Sequence, residues 1–206
     1  MAFSEVSIIN DALIELGEPR INARTDNTTQ GKASNGAFDS AKEAFLACHY
    51  WSFSMKRVEL ARNATAPNHK YAYSYALPAD FIRLAQVNET DVEDIHEPLF
   101  QRIGDNLETD ETSLKITYVY NADVSSFDAV AAKAFSYLLA SKMAMLLPDS
   151  RAQKADMEQL WDKWFKKAKS IDSMHQRKAL PNRDHYSAFI SAQVRSSDWH
   201  PNPTTT

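Results

Sequence analysis

Carboxylates that could act as an acid–base pair are concentrated after Gly104. They are Asp105, Glu108, Asp110 and Glu111. Glycoside hydrolysis uses two such groups on either side of a scissile bond. Carboxylates are equally ordinary beside hairpin turns, where they are solvated and have no catalytic role. The sequence leaves both interpretations open, a hydrolase pair or turn carboxylates, and we favour the second.

A thiol–imidazole pair and an acidic cluster are the next candidates. Cys48 and His49 are neighbours in a predicted helix, where adjacent side chains point about 100° apart and do not face each other. No third group at a recognisable spacing could orient them. The acidic cluster comprises Glu89, Asp91, Glu93, Asp94, His96 and Glu97. It lacks the order of ligands found in a calcium-binding loop and the histidine spacing of a zinc-binding helix. We therefore predict no catalytic residue, no cofactor and no metal.

Lysines and aromatic residues alternate late in the chain, in a pattern that could bind single-stranded nucleic acid. The residues are Lys163, Lys166, Lys167, Lys169, Trp161, Trp164 and Phe165. The helical period places the aromatic side chains on a buried face, and lysines in the last turns complement the negative end of a helix. The chain has 23 basic and 27 acidic residues, without the basic excess of a phosphate-binding domain.

The composition limits the class of protein. A chain of 206 residues with 44% apolar residues can bury one core. The single cysteine, Cys48, excludes an intrachain disulfide and is expected to be buried. Only 4 glycines occur, and they are too scattered for a phosphate-binding loop. No apolar run reaches the roughly 18–20 residues of a membrane span, and the first residues lack signal-peptide features, so we expect a soluble, intracellular chain.

Hydrophobic periodicity predicts four helices. The first helix is expected between Ser4, its N-cap, and Gly17, its C′ residue, and the second covers residues 31–50. The third begins at Phe127 and ends before Pro148, and the fourth begins after an N-cap at Asp149 or Ser150. Alternation of apolar and polar residues predicts a small antiparallel sheet between them. Its expected segments are residues 51–60, 71–77, 81–87, a hairpin at 99–107 and a strand at 114–120.

The predicted fold class is α+β. Residues 1–50 and 121–180 form a discontinuous helical domain, residues 51–120 a small antiparallel β domain, and residues 181–206 an extended C-terminal tail. The tail has too few apolar residues to form a core of its own. We predict that its apolar side chains bind a partner, although they could instead pack on the chain's own helices; they are Tyr186, Phe189, Ile190, Val194 and Trp199.

Short segments, taken in order, resemble the tail tubular protein A family of short-tailed bacteriophages. They are Asn10-Asp11-Ala12-Leu13 with Leu16-Gly17-Glu18-Pro19, and then Trp51-Ser52-Phe53. Residues 77–84, which read Leu-Pro-Ala-Asp-Phe-Ile-Arg-Leu, resemble a segment of related phage and prophage head–tail adaptors. So does the hairpin at residues 107–120 followed by a helix near Phe127. The resemblance covers residues 4–175.

The resemblance implies a head-to-tail connector of a virion, assembled in the host cytoplasm and without enzymatic activity. Such a protein forms a ring of neighbouring copies, typically dodecameric, between the portal protein and the tail nozzle protein. DNA would pass through without sequence-specific binding, and no membrane is involved. The acidic balance suits a conduit, because repulsion lets the duplex slide. The alternatives are a tail-associated polysaccharide hydrolase and a virion binding module without ring symmetry.

Overall fold

A computed structural model describes residues 2–94 and 100–175 of the chain. Met1–Asp172 form one compact unit, and Ser173–Thr206 form a second of which only the end of the last helix is described. The predicted α+β class is confirmed: the described residues form four α-helices and two antiparallel sheets. The predicted domain boundaries near residues 50, 120 and 180 stay a prediction, and the tail at 181–206 lies outside the described residues.

The helices are α1 (Glu5–Glu15), α2 (Thr29–Ala47), α3 (Ala129–Ala144) and α4 (Lys154–His175). Helix α1 has the predicted limits. Ser4 caps it by accepting a hydrogen bond from the Ser7 N–H at 3.1 Å. Gly17 has a φ of 70°, which lets the Glu18 N–H donate to the Leu13 carbonyl at 2.9 Å. Within the described ranges, no helix is both long enough and apolar enough to cross a bilayer.

Buried aromatic side chains form the core between the helices. Phe45 of α2 stacks on Trp51 with ring centroids 4.7 Å apart, and it also packs against Phe135 of α3 at 5.4 Å. Trp51 is fully buried and meets the edge of Phe165 of α4 at 5.9 Å. The core thus joins an early helix to both late helices. Val119, in the last strand, belongs to the same core and connects it to a sheet.

The strands form two sheets instead of the single predicted sheet. They are β1 (Met55–Leu60), β2 (Tyr73–Ala76), β3 (Phe81–Val87), β4 (Thr90–Asp91), β5 (Phe100–Ile103), β6 (Asn106–Thr109) and β7 (Leu114–Tyr120). One sheet has the order β1-β7-β3-β4 and the other β2-β6-β5. Alternation identifies a strand and its buried face but not its partner strand, so no pattern in the sequence separates β2 from β1 and β3.

A second core lies between the strands of these two sheets. It contains Leu60, Tyr75, Val87, Leu107, Leu114, Ile116 and Tyr118. The predicted hairpin joins β5 to β6 through Gly104, which has a φ of 58° that suits glycine at a tight turn. Strand β1 lies at an edge, and its residues 56–59 are exposed. Charged side chains on this strand protect the edge against pairing with other chains.

The segment after α2 differs from the prediction. Helix α2 ends at Ala47, not at residue 50, and residues 51–54 are not a strand. The Trp51 indole N–H donates to the Phe45 carbonyl at 3.1 Å, and the Ser54 N–H donates to the Trp51 carbonyl at 2.9 Å. These bonds fold residues 52–54 into a 3₁₀ turn. The hydrogen bonds that pair β1 with its neighbouring strand can therefore begin only at Met55.

The start of α4 and the position of its lysines also differ from the prediction. A 3₁₀ turn at Pro148–Gln153 precedes the helix, so neither Asp149 nor Ser150 is its N-cap. The Ser150 hydroxyl instead donates to Glu18 at 2.9 Å. Helix α4 continues to His175, which places the four lysines of residues 163–169 before its last turn. The lysines are exposed and the interleaved aromatic residues pack against the core, as predicted.

Candidate functional site

The segment Trp51-Ser52-Phe53 meets the end of α4 at a buried carboxylate. Asp172 is 2% exposed. Its Oδ1 accepts hydrogen bonds from the Ser52 hydroxyl at 2.6 Å and the Ser52 N–H at 2.9 Å. Its Oδ2 lies 3.1 Å from Nε2 of His49. Asp172 therefore ties α4 to the turn that carries Trp51.

The hydrogen bonds at this cluster favour the ionised form of Asp172. Burial by itself raises the pKa of Asp172, but the hydrogen bonds from His49 and Ser52 outweigh it and hold that pKa below its usual range. An ionised carboxylate can only accept, so Nε2 of His49 is the donor. A serine nucleophile needs a base that takes its proton, commonly an imidazole. The Ser52 hydroxyl donates to Asp172 instead, which does not match that arrangement.

The cysteine beside this joint is not buried. The prediction of a buried Cys48 is wrong: it is exposed at the C-terminal end of α2. His49 is the residue that turns inward, with its ring edge-to-face against Trp51 at 4.8 Å. The imidazole is thus engaged by Trp51 and Asp172.

Asp80, in the segment of residues 77–84, joins two strands of the larger sheet. Its carboxylate lies 2.6 Å from Lys56 of β1 and accepts a bond from the Tyr118 hydroxyl of β7 at 2.9 Å. The Lys56 hydrogen bond is the main cause that lowers the pKa of Asp80. Burial and the bond to Asp80 raise the pKa of Tyr118 to about 12. Lys56 also lies 3.9 Å from the ring centroid of Tyr120.

Arg83, in the same segment, joins the larger sheet to a helix. Its Nη1 donates to the Ala47 carbonyl at 3.2 Å, at the end of α2. The last carbonyls of a helix have no partner within the helix, and the dipole there favours a cation. The guanidinium also covers the Tyr50 ring at 4.2 Å and approaches Glu93 at 3.6 Å. Arg83 therefore caps α2 from strand β3.

Side chains of residues 10–19, part of the segments that resemble the phage family, connect α1 with three other parts of the chain. Asn10 donates to the Ile21 carbonyl at 3.0 Å and accepts from the Ile21 N–H at 2.8 Å. Glu18 accepts from Gln30 at 2.9 Å and from Ser150 at 2.9 Å. Like Ser52, Asp80 and Arg83, these side chains hold elements together.

The candidate catalytic carboxylates lie at the ends of the β5–β6 hairpin. Asp105 is exposed at its turn, and Asp110 and Glu111 are exposed after β6. Asp110 accepts from the Ala72 N–H at 2.8 Å, a local bond to an exposed backbone group. Glu108 is half-buried in β6, opposite Ser74 in the register. These positions favour turn carboxylates over a catalytic pair.

Alanine substitutions test that assignment. Replacing Asp105, Glu108 or Glu111 should change the free energy of unfolding by about 0.5 kcal/mol or less. Asp110→Ala should cost about 1 kcal/mol, because it removes the bond to the Ala72 N–H. Urea denaturation measures both effects. Degradation of a capsular polysaccharide by the purified protein, abolished by one of these substitutions, would contradict the assignment.

Two groups of residues singled out in the sequence remain, the acidic cluster and the apolar side chains of the tail, and the structure describes only part of them. Asp91 of the acidic cluster accepts from Gln86 at 2.6 Å, while His96 and Glu97 lie outside the described residues. The predicted partner-binding residues also lie outside them: Tyr186, Phe189, Ile190, Val194 and Trp199. Sequence reasoning missed Asp172, because nothing local marks a carboxylate whose partner is 120 positions away.

Comparison with known proteins found no family model that matches the chain. No curated protein matches its sequence significantly either.

Proposed function

We propose that this protein is a structural head-to-tail adaptor of a bacteriophage, without enzymatic activity. Copies of the chain would form a ring beneath the portal protein and join it to the tail nozzle protein. DNA would pass through the ring without sequence-specific binding. The protein would belong to the virion, at the junction of head and tail.

One observation carries the proposal. The side chains of the three resembling segments connect the elements of the fold. Asn10, in the middle of α1, binds the backbone of Ile21, and Glu18, just after α1, accepts from Ser150. Ser52 binds α4, and Arg83 binds the end of α2. A scaffold needs such joints to transmit contacts between partners. Joints of this kind hold the elements in fixed positions, which fits the rigid scaffold that the resemblance implies.

The charge of the chain supports a passive conduit. The formal net charge is −4 at pH 7. A protein that held DNA through its phosphates would need a cluster of lysine and arginine and would lose affinity steeply with salt. An acidic wall repels the duplex instead. Many copies around a channel would multiply this repulsion.

Sedimentation with the portal protein tests the adaptor function. The isolated chain should be a folded monomer or weak oligomer, because it has no long heptad seam that would drive strong self-association. Adding the portal protein of the same phage should produce a ring-sized complex, since a template raises the local concentration of copies. A stable dimer that ignores the portal would contradict the proposal.

A truncation tests the predicted role of the tail. Ending the chain before Pro181 should preserve the helical and β content, because Met1–Asp172 form a compact unit with its own core. It should weaken attachment to the portal severely, because the five aromatic and aliphatic anchors would be lost. Circular dichroism and portal co-sedimentation measure the two properties. Normal attachment would refute the docking role of the tail.

A further inference from the structure

The outer edge of β1 is an open side of the larger sheet. Strand β1 comes first in the order β1-β7-β3-β4, and among the described strands it pairs with β7 alone. Its residues from Lys56 to Glu59 are all exposed. The backbone N–H and C=O groups that point away from β7 can therefore bind an additional strand, as in other cases of recognition at a sheet edge.

A row of β-branched side chains crosses the larger sheet and stops at this edge. Val87 of β3 lies opposite Ile116 of β7, and Ile116 lies opposite Val58 of β1. Val87 and Ile116 are buried in the second core, whereas Val58 is 36% exposed. Side chains directly opposite each other on neighbouring strands pack together, and β-branched residues fit this surface well. An added strand with such a residue opposite Val58 would continue the row.

The two residues beside Val58 carry opposite charges on the same face of β1. They are Arg57 and Glu59, and neither belongs to an ion pair among the residues that the structure describes. Glu59 lies opposite Lys115 of β7, and its Oε1 accepts from the Ser113 hydroxyl at 2.8 Å. Its Oε2 can therefore meet a cation on the open side of the strand.

We infer that β1 of a second copy pairs antiparallel with β1 about a two-fold axis at Val58. This register places Val58 opposite Val58 of the second copy, and it places Arg57 of each copy opposite Glu59 of the other. Opposite charges directly across from each other stabilise a strand pair, and like charges destabilise it.

The charges of β1 select this register and this partner. A two-fold axis at Arg57 would place two arginines opposite each other, and an axis at Glu59 would place two glutamates opposite each other. A shift that moves side chains to the other face is excluded by the pleat of the strands. Charges on an edge strand discourage pairing with strands that lack a matching pattern. The strand is therefore complementary to a second copy of itself.

The contact is a weak dimer of the free chain. Both copies use the same surface, so the contact closes on itself and does not extend into a ring. Strand β1 has 6 residues, and one such strand contributes less than the roughly 1,000 Å² of interface that a stable complex needs. The inference goes beyond the proposed adaptor function and does not depend on it, because it concerns the isolated protein.

Cysteine trapping tests the pairing in the full-length chain. The exposed Cys48 is first replaced by serine, and Val58→Cys is then introduced. Directly opposite residues of antiparallel strands have Cα atoms about 4.5–5.5 Å apart, within the range of about 4.4–6.8 Å that a disulfide spans. Oxidation should therefore yield about tenfold more disulfide-linked dimer than in a protein that carries its cysteine away from the edge.

Ile14→Cys and Ile103→Cys provide the matched controls. Ile14 lies on α1 and is 46% exposed, so the Ile14→Cys protein measures random collision. Ile103 is 47% exposed and lies on β5, an edge of the smaller sheet. Equal dimer from the Val58→Cys and Ile14→Cys proteins would overturn the inference. Preferential linkage of the Val58→Cys protein to the Ile103→Cys protein would also overturn it, because two different edges would then be paired.

Charge exchange tests the register. In the Val58→Cys protein, Arg57→Glu and Glu59→Arg each place like charges at both pairs, so each should reduce the trapped dimer about tenfold. A mixture of these two variants should recover the dimer, because each copy supplies the charges that the other needs. One protein with both substitutions should recover it as well, which also shows that the substituted strands fold. Trapping that is unaffected by either single reversal, or that neither combination recovers, would refute the register.

Sedimentation of the unaltered full-length protein needs no substitution. It should show a dimer that dissociates on dilution, and Arg57→Glu should shift the protein to monomer. A monomer at every concentration, with no trapped dimer, would refute the pairing and leave the adaptor function intact. A dimer that persists with the portal protein and prevents ring formation would contradict the adaptor function and leave the pairing intact.

Discussion

Replacing Asp172 by alanine is expected to lower the free energy of unfolding by about 3–4 kcal/mol. The carboxylate is 2% exposed and accepts three hydrogen bonds, from the Ser52 hydroxyl, the Ser52 N–H and His49. Hydrogen bonds to a charged group contribute about 1.5–3 kcal/mol each, and buried donors left without an acceptor add their desolvation cost. Part of the loss is recovered when water enters the vacated space. Urea denaturation followed by tryptophan fluorescence measures the change.

Asp162→Ala is the matched control for this prediction. Asp162 lies on the same helix but is exposed, so its replacement should change the free energy of unfolding by about 0.5 kcal/mol or less. Asp172→Asn should fall between the two variants, since the amide oxygen can still accept from Ser52 while the charge is lost. Equal stability of the Asp172→Ala and Asp162→Ala proteins would show that the joint has no energetic role.

The same joint should make stability depend on acid pH. The pKa of Asp172 is lowered in the folded protein, so its contribution is fully present above the unfolded pKa of about 3.9 and is lost as the pH falls through the folded pKa. The difference in stability between the wild-type and Asp172→Ala proteins should therefore shrink below about pH 4. Denaturation curves at neutral pH and at successively lower pH values measure it. A difference that stays constant would contradict the assignment.

Gly31→Ala is expected to lower the free energy of unfolding by about 3 kcal/mol. A Cβ atom at this position would lie far inside van der Waals contact with the carbonyl oxygen of Asp26. The clash is with backbone, and the Asp26 carboxylate is itself fixed by bonds from the N–H groups of Asn22 and Ala23. The first turn of α2 or the preceding loop must therefore move, which costs more than a side-chain rearrangement.

Gly36→Ala, on the same helix, should have the opposite sign. No atom lies within 4 Å of a Cβ built at Gly36, so the substitution keeps every contact. Alanine is better than glycine in a helix interior by about 0.5–1 kcal/mol, because glycine loses more backbone entropy on folding. Thermal unfolding followed by circular dichroism should therefore shift upward for Gly36→Ala and downward for Gly31→Ala. A stabilised Gly31→Ala protein would mean that the loop at Asp26 adapts freely.

Elements fixed by local chemistry could be predicted from the sequence. The ends of α1 follow from Ser4 and Gly17, whose capping bonds reach only a few residues along the chain. The β5–β6 hairpin follows from the Gly104 turn. Strands β3 and β7 have the predicted limits, and in β7 large apolar side chains recur at every second position from Leu114 to Tyr120.

Features that depend on distant parts of the chain could not be predicted. The separation into two sheets requires β2 to pair with β6 and not with β1, a choice that no strand pattern contains. The residue that caps the end of α2, Arg83, is 36 positions away. The buried carboxylate at Asp172 depends on His49 and Ser52, more distant still. The partner-binding role of the tail and the adaptor function stay predictions.

The joint between Ser52 and Asp172 also governs how the protein is made. The two residues are 120 positions apart, and a ribosome adds about 5–20 residues per second. For roughly 10 s during synthesis, Trp51 and Phe45 are therefore present in the nascent chain before α4, which packs against them, has been made. This interval makes the unfinished chain a substrate for chaperones and proteases. A premature stop before α4 should therefore yield a fragment whose aromatic core stays uncovered and which is degraded.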